Sequence, residues 1–426
     1  MRLARRTALG AALVAALAGT AVTPAVARSA PHHPSTTRVS TGPHGREADA
    51  ASAAPALSAD GRYVAFVSAA DNLVPGDTDG VADVFVRDLR TGRTERVADG
   101  PASHPALSGD GRHVVFATSA ALARGDDNDA DDIYVLDRRT HRTERVSFGH
   151  PTSWGANAMP TISANGRVVA YVTSAPDVVP GDDNGRNDVV VHDRRTGRDE
   201  LVQYTTAGLL GSADAFFPSL SADGRYVSFD TPALLVPDVD VSKTRLVYLR
   251  DRRTRTTELV SRPTRYDYKA YADASSLSGD GGRVAFESSL YSLVPGDTNK
   301  VPDVFVYDRA ARTTVRVSTA ADGTQADGPS GGASLSADGR HAAFTSTADN
   351  LVPGDTDGVA DIFVKDLATG AVTRVSLGVD GTQADGASSA VSLDARGHRA
   401  AFTSTATNLV PDDTNGVADV FVSHPN

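Results

Sequence analysis

Residues 57–66 read LSADGRYVAF and residues 76–86 read GDTDGVADVFV, and close copies of these two phrases recur along the chain. The first phrase has an apolar residue, a tight turn and a strand pattern; the second has an acidic loop followed by another strand pattern. The residue that opens the first phrase falls at Leu57, Leu107, Ile162, Leu220, Leu277, Leu335 and Leu393. The period of 50 to 58 residues predicts a radial or solenoid array rather than one conventional core.

Apolar residues inside a repeat alternate with a period of two, and residues 63–68 are largely apolar on both sides. Strands buried on both faces have this pattern. In the first repeat the pattern predicts strands at 55–58, 62–68, 83–88 and 93–98, separated by turns. Seven such units, with no helical pattern after the N-terminal segment, predict an all-β, seven-bladed β-propeller of four-stranded antiparallel blades.

The two ends of the chain complement each other. The seventh repeat stops after residues 419–423 and lacks the outer strand that the fifth repeat has at 313–318. A matching segment, TTRVS, stands at residues 36–40. We therefore expect this N-terminal strand to complete the last blade and close the ring, which leaves no open sheet edge.

The N-terminal residues predict export. Residues 1–27 combine arginines, an Ala/Leu/Val run and a small-residue cleavage pattern, as in a secretory signal peptide. We expect a linker at 28–35, one propeller at 36–426, and a secreted or extracytoplasmic monomer without a membrane span. Arg5-Arg6 leaves the Sec and twin-arginine routes both open. Removing three of the 42 Lys and Arg leaves 39 against 53 Asp and Glu, a net charge of −14, which argues against nucleic-acid binding.

The repeats resemble the WD-repeat-like propeller units of the TolB family. The signature S-x-D-G-[RK] is matched by SADGR at 58–62, and [IV]-[FY]-V-x-D-x-x-T-G is matched by VFVRDLRTG at 84–92. The resemblance covers residues 36–426 and implies the propeller fold, whereas it says little about function. TolB also has a separate N-terminal domain that has no counterpart in this sequence, so a role in an envelope complex is not implied.

Six of the seven repeats place an acid, then Asp or Asn two residues on, then Asp four residues later, before the third strand. The sets are Asp77/Asp79/Asp83, Asp126/Asn128/Asp132, Asp182/Asn184/Asp188, Asp297/Asn299/Asp303, Asp355/Asp357/Asp361 and Asp413/Asn415/Asp419. In the fourth repeat, Leu246 stands in place of the third acid.

Alternating oxygen ligands with a glycine in the loop predict a Ca²⁺ site in each of these loops. The pattern resembles the second half of the calcium loop of integrin-type propellers, whose first ligand position is occupied here by Pro75. Fourteen of the 18 side chains are carboxylates, which equals the net charge of the exported chain and suggests a bound counter-ion. The alternative is turn chemistry, because Asp-Gly and Asn-Gly form tight turns without metal.

No sequence motif predicts a catalytic site. Aromatic residues that could bind a ligand are concentrated in the loops that enter blades three to five: Trp154, Phe216, Phe217, Tyr266, Tyr268 and Tyr271. They could equally well plug the opening of the ring. The leading expectation is a calcium-binding recognition scaffold for an extracellular protein or glycan, without catalysis. A carbohydrate-active or peptide-cleaving enzyme is the alternative, and a structural envelope protein is a third.

Overall fold

The computed structural model describes residues 35–128, 130–150, 157–237, 244–265 and 270–425. These residues form seven sheets of four antiparallel strands each, which confirms the predicted seven-bladed β-propeller. The predicted signal peptide, and the linker except for Ser35, lie outside the described residues. No helix in the described part of the chain is long and apolar enough to span a membrane.

Each blade contains four strands, and the first strand of the chain, β1 (Ser35–Arg38), belongs to the last blade. Blade one consists of β2 (Ser52–Leu57), β3 (Tyr63–Ser68), β4 (Asp83–Asp88) and β5 (Arg93–Ala98). Blade two consists of β6 (Ala102–Leu107), β7 (His113–Thr118), β8 (Asp132–Asp137) and β9 (Arg142–Arg145). Blade three consists of β10 (Ala158–Ile162), β11 (Val168–Thr173), β12 (Asp188–Asp193) and β13 (Arg198–Leu201).

The remaining four blades repeat this order. Blade four consists of β14 (Phe216–Leu220), β15 (Tyr226–Thr231), β16 (Leu246–Asp251) and β17 (Thr256–Leu259). Blade five consists of β18 (Ala272–Leu277), β19 (Arg283–Ser288), β20 (Asp303–Asp308) and β21 (Thr313–Arg316). Blade six consists of β22 (Ser330–Leu335), β23 (His341–Ser346), β24 (Asp361–Asp366) and β25 (Val372–Arg374). Blade seven consists of β26 (Ser388–Leu393), β27 (Ala400–Ser404), β28 (Asp419–His424) and β1, and short 3-10 turns lie at Pro43–Gly45 and Val379–Gly381.

The signature S-x-D-G-R forms the turn between the first two strands of a blade. In blade one, the Ser58 hydroxyl donates to Asp60, and Asp60 accepts the backbone N–H of Arg62 at 3.0 Å. Gly61 has a φ of +67°, which favours glycine. Arg62 then makes a bidentate pair with Asp88 at the end of β4, at 3.1 and 2.6 Å. The two recurring halves of the repeat unit are thus held together by a charge-assisted, bidentate ion pair.

Stacked aromatic pairs fill the blades, because β3 and β4 and their counterparts are buried on both faces. The ring pairs, with centroids 5.8 to 6.2 Å apart, are Phe66–Phe85, Phe116–Tyr134, Phe229–Tyr248, Phe286–Phe305, Phe344–Phe363 and Phe402–Phe421. These twelve rings are at most 2 % exposed. Each pair joins the two middle strands of one blade and adds roughly 0.5–1.5 kcal/mol beyond the area that it buries.

The apolar residues that mark the repeat line the axis of the ring, where Leu57 and its six counterparts surround a cavity of about 150 Å³. A belt of backbone hydrogen bonds joins each blade to the next beside them. Its seven donor-to-acceptor pairs are Asp60–Gly109, Gly109–Ala164, Ala164–Ala222, Ala222–Gly279, Gly279–Ala337, Asp338–Ala395 and Ala395–Ala59. The belt returns to blade one, so the ring is closed at the axis as well as at its rim.

The N-terminal strand closes the last blade as expected. β1 pairs antiparallel with β28, with Thr37 opposite Val422 and Arg38 opposite Phe421. The backbone N–H of Val39 continues the ladder to Val420 at 2.7 Å. The observed strand begins and ends earlier than the predicted 36–40, because after Val39 the chain turns into the bridge between Thr41 and Glu47.

Each innermost strand contains a β-bulge, which the sequence did not predict. β2 was expected at 55–58 but spans Ser52–Leu57, and its register shifts between Ala53 and Ala56. The bulge residue has a left-handed backbone conformation in every blade, with φ from +50° to +61°, at Ala54, His104, Met159, Phe217, Ala274, Gly332 and Ala390. A bulge bends the strand and re-aims its side chains. Six of these residues surround the mouth of the axial channel with side chains.

Candidate functional site

The six acidic loops lie at the start of the third strand of their blades. The third acid of each set is the first residue of that strand, as Asp83 is in β4, and is buried. In five blades an arginine from the fourth strand lies between the first and the third acid. Its Nη1 contacts both carboxylates, in the sets Arg38–Asp413/Asp419, Arg96–Asp77/Asp83, Arg145–Asp126/Asp132, Arg316–Asp297/Asp303 and Arg374–Asp355/Asp361.

These arginines are the counter-ions that the sequence analysis missed. The contact distances run from 2.9 Å in blade six to 3.5 Å in blade five. The arginine is always opposite the aromatic residue of the third strand, as Arg96 is opposite Phe85. Its signal in the sequence is R-V-[SA] at the end of the fourth strand pattern, which accompanies the acids in these five blades but is absent in blades three and four.

The middle residue of the set divides the loops into two kinds. Blades two, three, five and seven carry Asn, and its amide donates to the third acid, in the pairs Asn128–Asp132, Asn184–Asp188, Asn299–Asp303 and Asn415–Asp419 at 2.9 to 3.2 Å. We call these the Asn loops. In blades two, five and seven, the third acid therefore accepts hydrogen bonds from both the arginine and the Asn amide.

Blades one and six carry Asp in the middle position, and we call these the Asp loops. Their segments, residues 70–83 and 348–361, are identical in sequence. Each brings together three carboxylates, Asp71/Asp77/Asp79 and Asp349/Asp355/Asp357, whose oxygens all lie within 4.8 Å of one another. Asp71 comes from upstream of the turn, so it was not identified from the sequence. The other five blades have no acid at its position.

Backbone hydrogen bonds hold Asp71 in this cluster. Its Oδ1 accepts the N–H of Gly80 at 2.8 Å, and its own N–H donates to Asp49 at 3.0 Å. Asp349 makes the equivalent bonds with Gly358 and Asp327. The Ala-Asp segments at 48–49 and 326–327 therefore act as turn residues that position a carboxylate.

The Asp loops keep uncompensated negative charge. Burial raises the pKa of Asp77, and the neighbouring Asp79 and Asp71 raise it further while Arg96 opposes them. The same causes raise the pKa of Asp355 to about 6. One arginine therefore does not neutralise the cluster, and carboxylate oxygens are the ligands that Ca²⁺ prefers. The residues of the Asp loops fit a calcium ion better than those of the Asn loops.

Three of the six predicted ligand-binding aromatic residues, Trp154, Tyr266 and Tyr268, lie outside the described residues. Phe217 is the bulge residue of blade four, is 37 % exposed and lines the channel mouth. Phe216 packs against the Arg245 guanidinium at 5.3 Å. Tyr271 is half-buried beside Asp273 and Glu287, and burial followed by these two acids raises the pKa of its hydroxyl.

The channel mouth is a cavity of about 400 Å³. Its lining is asymmetric, because the bulge residues of blades two, three and four are the large side chains His104, Met159 and Phe217, whereas Ala or Gly fills the position elsewhere. A mixed apolar surface at the axis of a ring is a typical place for a ligand.

Beside this mouth lies a cluster of charges that the sequence analysis also missed. Asp230 on β15 and Glu287 on β19 occupy a position that is Val67 in blade one. Arg245 lies 3.2 Å from Asp230 and 3.4 Å from Asp273, and Asp273 is directly opposite Glu287. An acid inside an otherwise apolar strand pattern was the signal in the sequence.

Burial dominates the electrostatics of this cluster. It raises the pKa of Asp230 to about 8, with Asp273 adding to the shift and Arg245 opposing it. Burial and Glu287 raise the pKa of Asp273 to about 6. Asp230 is 1 % exposed, and neither of its oxygens has a hydrogen-bond partner among the described residues. Like charges directly opposite each other destabilise a sheet, so this group is a candidate functional site.

Comparison with known proteins identifies the fold but no family. No protein-family model matches the chain. No curated protein matches it at a significant level. An oligogalacturonate lyase solved in complex with manganese is 13 % identical, with a TM-score of 0.55, over 92 % of this chain and 93 % of the lyase.

Two further solved structures are of the same type. The β-propeller domain of the trilobed protease from Pyrococcus furiosus is 13 % identical, with a TM-score of 0.55, over 88 % of this chain and 94 % of that domain. TolB from Acinetobacter baumannii is 16 % identical, with a TM-score of 0.40, over 81 % of this chain and 76 % of TolB. At such identities similarity concerns the fold alone, and the lyase and the protease domain, both with a TM-score of 0.55, agree with the β-propeller fold of this chain.

Proposed function

We propose that this protein is a secreted, monomeric calcium-binding propeller that acts as a recognition scaffold for an extracellular protein or glycan. Export is proposed from the sequence of residues 1–27. The calcium sites are the Asp loops of blades one and six, and the recognition surface is the channel mouth around His104, Met159 and Phe217. A rigid ring that presents irregular side chains on one face is suited to recognition.

The observation that carries the calcium proposal is the convergence of three carboxylates in both Asp loops, Asp71/Asp77/Asp79 and Asp349/Asp355/Asp357. Among the described residues, the cluster forms only where the sequence supplies both the upstream acid and the middle acid. The buried acid of each cluster, Asp77 in blade one and Asp355 in blade six, already contacts an arginine. An additional cation would compensate the remaining two acids, because that arginine does not contact them.

The test is a thermal melt of the exported chain in calcium and in chelator. Because the carboxylates converge only in the folded state, calcium at a concentration of ten times Kd should raise the free energy of unfolding by about 1.4 kcal/mol per site. Asp71→Asn and Asp349→Asn should each remove about half of the calcium-dependent shift. Tyr291→Ala is the matched control, since Tyr291 stands at the equivalent place in an Asn loop and is exposed. A melt that responds neither to millimolar calcium nor to chelator would refute the calcium proposal.

A second candidate function is supported by the charged cluster beside the channel mouth. A carboxyl group with a pKa of about 8 near a second with a pKa of about 6 can act as a general acid and base pair. Such a pair would make the protein an enzyme, either carbohydrate-active or peptide-cleaving. The two candidates are separated by a screen for cleavage of neutral and acidic polysaccharides, in which only activity that Asp230→Asn abolishes supports the enzyme.

A further inference from the structure

Blade three keeps both acids of its loop but lacks the arginine that neutralises them. Leu201 stands opposite Val190 in the register that places Arg145 opposite Tyr134 in blade two. No arginine or lysine contact to Asp182 or Asp188 is found in the described part of the chain. Blade four, which also has leucine at this position, has lost the third acid as well. Blade three is therefore the exception among the six loops.

Asp188 is left with an unpartnered oxygen in a fully buried position. Its Oδ1 accepts the Asn184 amide at 2.9 Å, but its Oδ2 has no hydrogen-bond partner among the described residues. In blade five, the equivalent Asp303 receives Ser318 at 2.5 Å, Asn299 at 2.9 Å and Arg316 at 3.5 Å. Leaving a buried carboxylate unpaired is costly, so this position favours a cation.

The arginines of the other blades indicate which oxygens would surround that cation. Besides the two carboxylates, their second nitrogen Nη2 donates to the backbone carbonyl just before the first acid, at Gly296, Gly354 and Asp412. The equivalent carbonyl in blade three belongs to Gly181. Two carboxylates and one carbonyl are oxygen ligands of the kind that a hard divalent cation takes, with water completing the shell.

The depth of the position favours a small ion over a side chain from a partner. The bridging arginine side chains are only 6 to 22 % exposed, so the position that they fill lies below the surface. Leu201, which stands where five other blades have the arginine, lines an open cavity of about 510 Å³. We propose that blade three binds one Ca²⁺ ion between Asp182 and Asp188, in the position that an arginine fills in five other blades.

This site uses other residues than the Asp loops do, so its test is independent of calcium binding by the Asp loops. The experiment is a count of bound calcium per chain by equilibrium dialysis of the exported protein. Leu201→Arg supplies the missing guanidinium, so it should bind one calcium fewer than the wild type. Arg316→Leu gives blade five the arrangement of blade three and should bind one more.

The outcomes separate this site from the Asp loops. Combining Asp71→Asn with Asp349→Asn should leave the one-ion difference between wild type and Leu201→Arg unchanged. If Leu201→Arg does not fold, Asp182→Asn should produce the same loss of one ion. Equal calcium counts in the wild type and in the folded Leu201→Arg or Asp182→Asn protein would overturn the proposal, and would mean that the two acids of blade three share a proton instead.

Discussion

Single substitutions inside a repeated frame decide the chemistry of each blade. At the second-last position of the second strand, Val67 in blade one becomes Asp230 in blade four and Glu287 in blade five. The backbone is unchanged, since Asp230 pairs across the sheet like its counterparts. The acid is nevertheless buried without a hydrogen-bond partner in the described structure. A regular scaffold can carry such a costly residue because its stability comes from the other contacts of the ring.

Asp230 should make the protein less stable as the pH rises. The pKa of Asp230 is about 8 in the folded protein against an ordinary 3.8, so the folded state binds the proton more tightly. Between pH 4 and 8, each unit of rising pH therefore lowers the free energy of unfolding by up to about 1.4 kcal/mol. The melting temperature of Asp230→Asn should equal that of the wild type at pH 4 and should exceed it by a growing margin as the pH rises to 8. A difference that does not change with pH would contradict this.

Asp193 is a control for which stability should change with pH in the opposite direction. Its hydrogen bond with Arg167 lowers the pKa of Asp193 to about 2. The stabilisation by this pair is present above the ordinary pKa and disappears as the pH falls through 2. Asp193→Asn should therefore lower the melting temperature at neutral pH, and the loss should vanish in acid.

At the scale of the strand, the β-bulge of the innermost strands sets the shape of the channel mouth. Six blades hold a non-glycine residue in the left-handed region at the bulge, and blade six holds Gly332 with φ +61°. The repetition of this strained conformation indicates that the surrounding strands enforce it. Strain of this kind concentrates at functional surfaces.

Gly332→Ala should therefore be tolerated at a cost of about 1 kcal/mol. The nearest atom to an added Cβ, Thr345 Oγ1, is 3.7 Å away. Gly386→Ala is the contrasting variant, because its Cβ would lie 2.7 Å from the backbone N of Ala406. We expect it to cost more than about 2 kcal/mol. Urea unfolding of both variants measures the two losses of stability. Equal losses would contradict the expectation that the bulge position tolerates a side chain better than Gly386 does.

At the scale of the whole molecule, closure at the rim of the ring depends on one short strand. β1 supplies Arg38, which contacts Asp413 and Asp419 in the last acidic loop at 3.0 and 3.4 Å. It also brings Val39 and Ser40, both at most 1 % exposed, against the last blade. The same segment therefore closes the ring and neutralises a loop.

Deleting residues 28–42 should lower the unfolding midpoint sharply. The deletion opens a sheet edge and leaves two buried acids without their arginine, a loss of roughly 3–5 kcal/mol. A peptide of residues 35–42 added in excess should restore part of the midpoint by pairing with β28. Deletion of 28–34 alone, which keeps the closing strand, is the control. Unchanged melting after the longer deletion would rule out this closure.

The sequence by itself determined the seven blades and the turn chemistry, because each depends on local patterns of a few residues. It also indicated the closing strand, because the strand pattern missing from the last repeat stands at the other end of the chain. It also marked the acidic loops, but it did not decide what neutralises them. Arg96 and Asp83 are 13 residues apart, and Arg38 and Asp419 are 381 apart. Which of these side chains meet depends on strand register and ring closure, so only the tertiary structure distinguished loops neutralised by arginine from the Asp loops and from the pair in blade three.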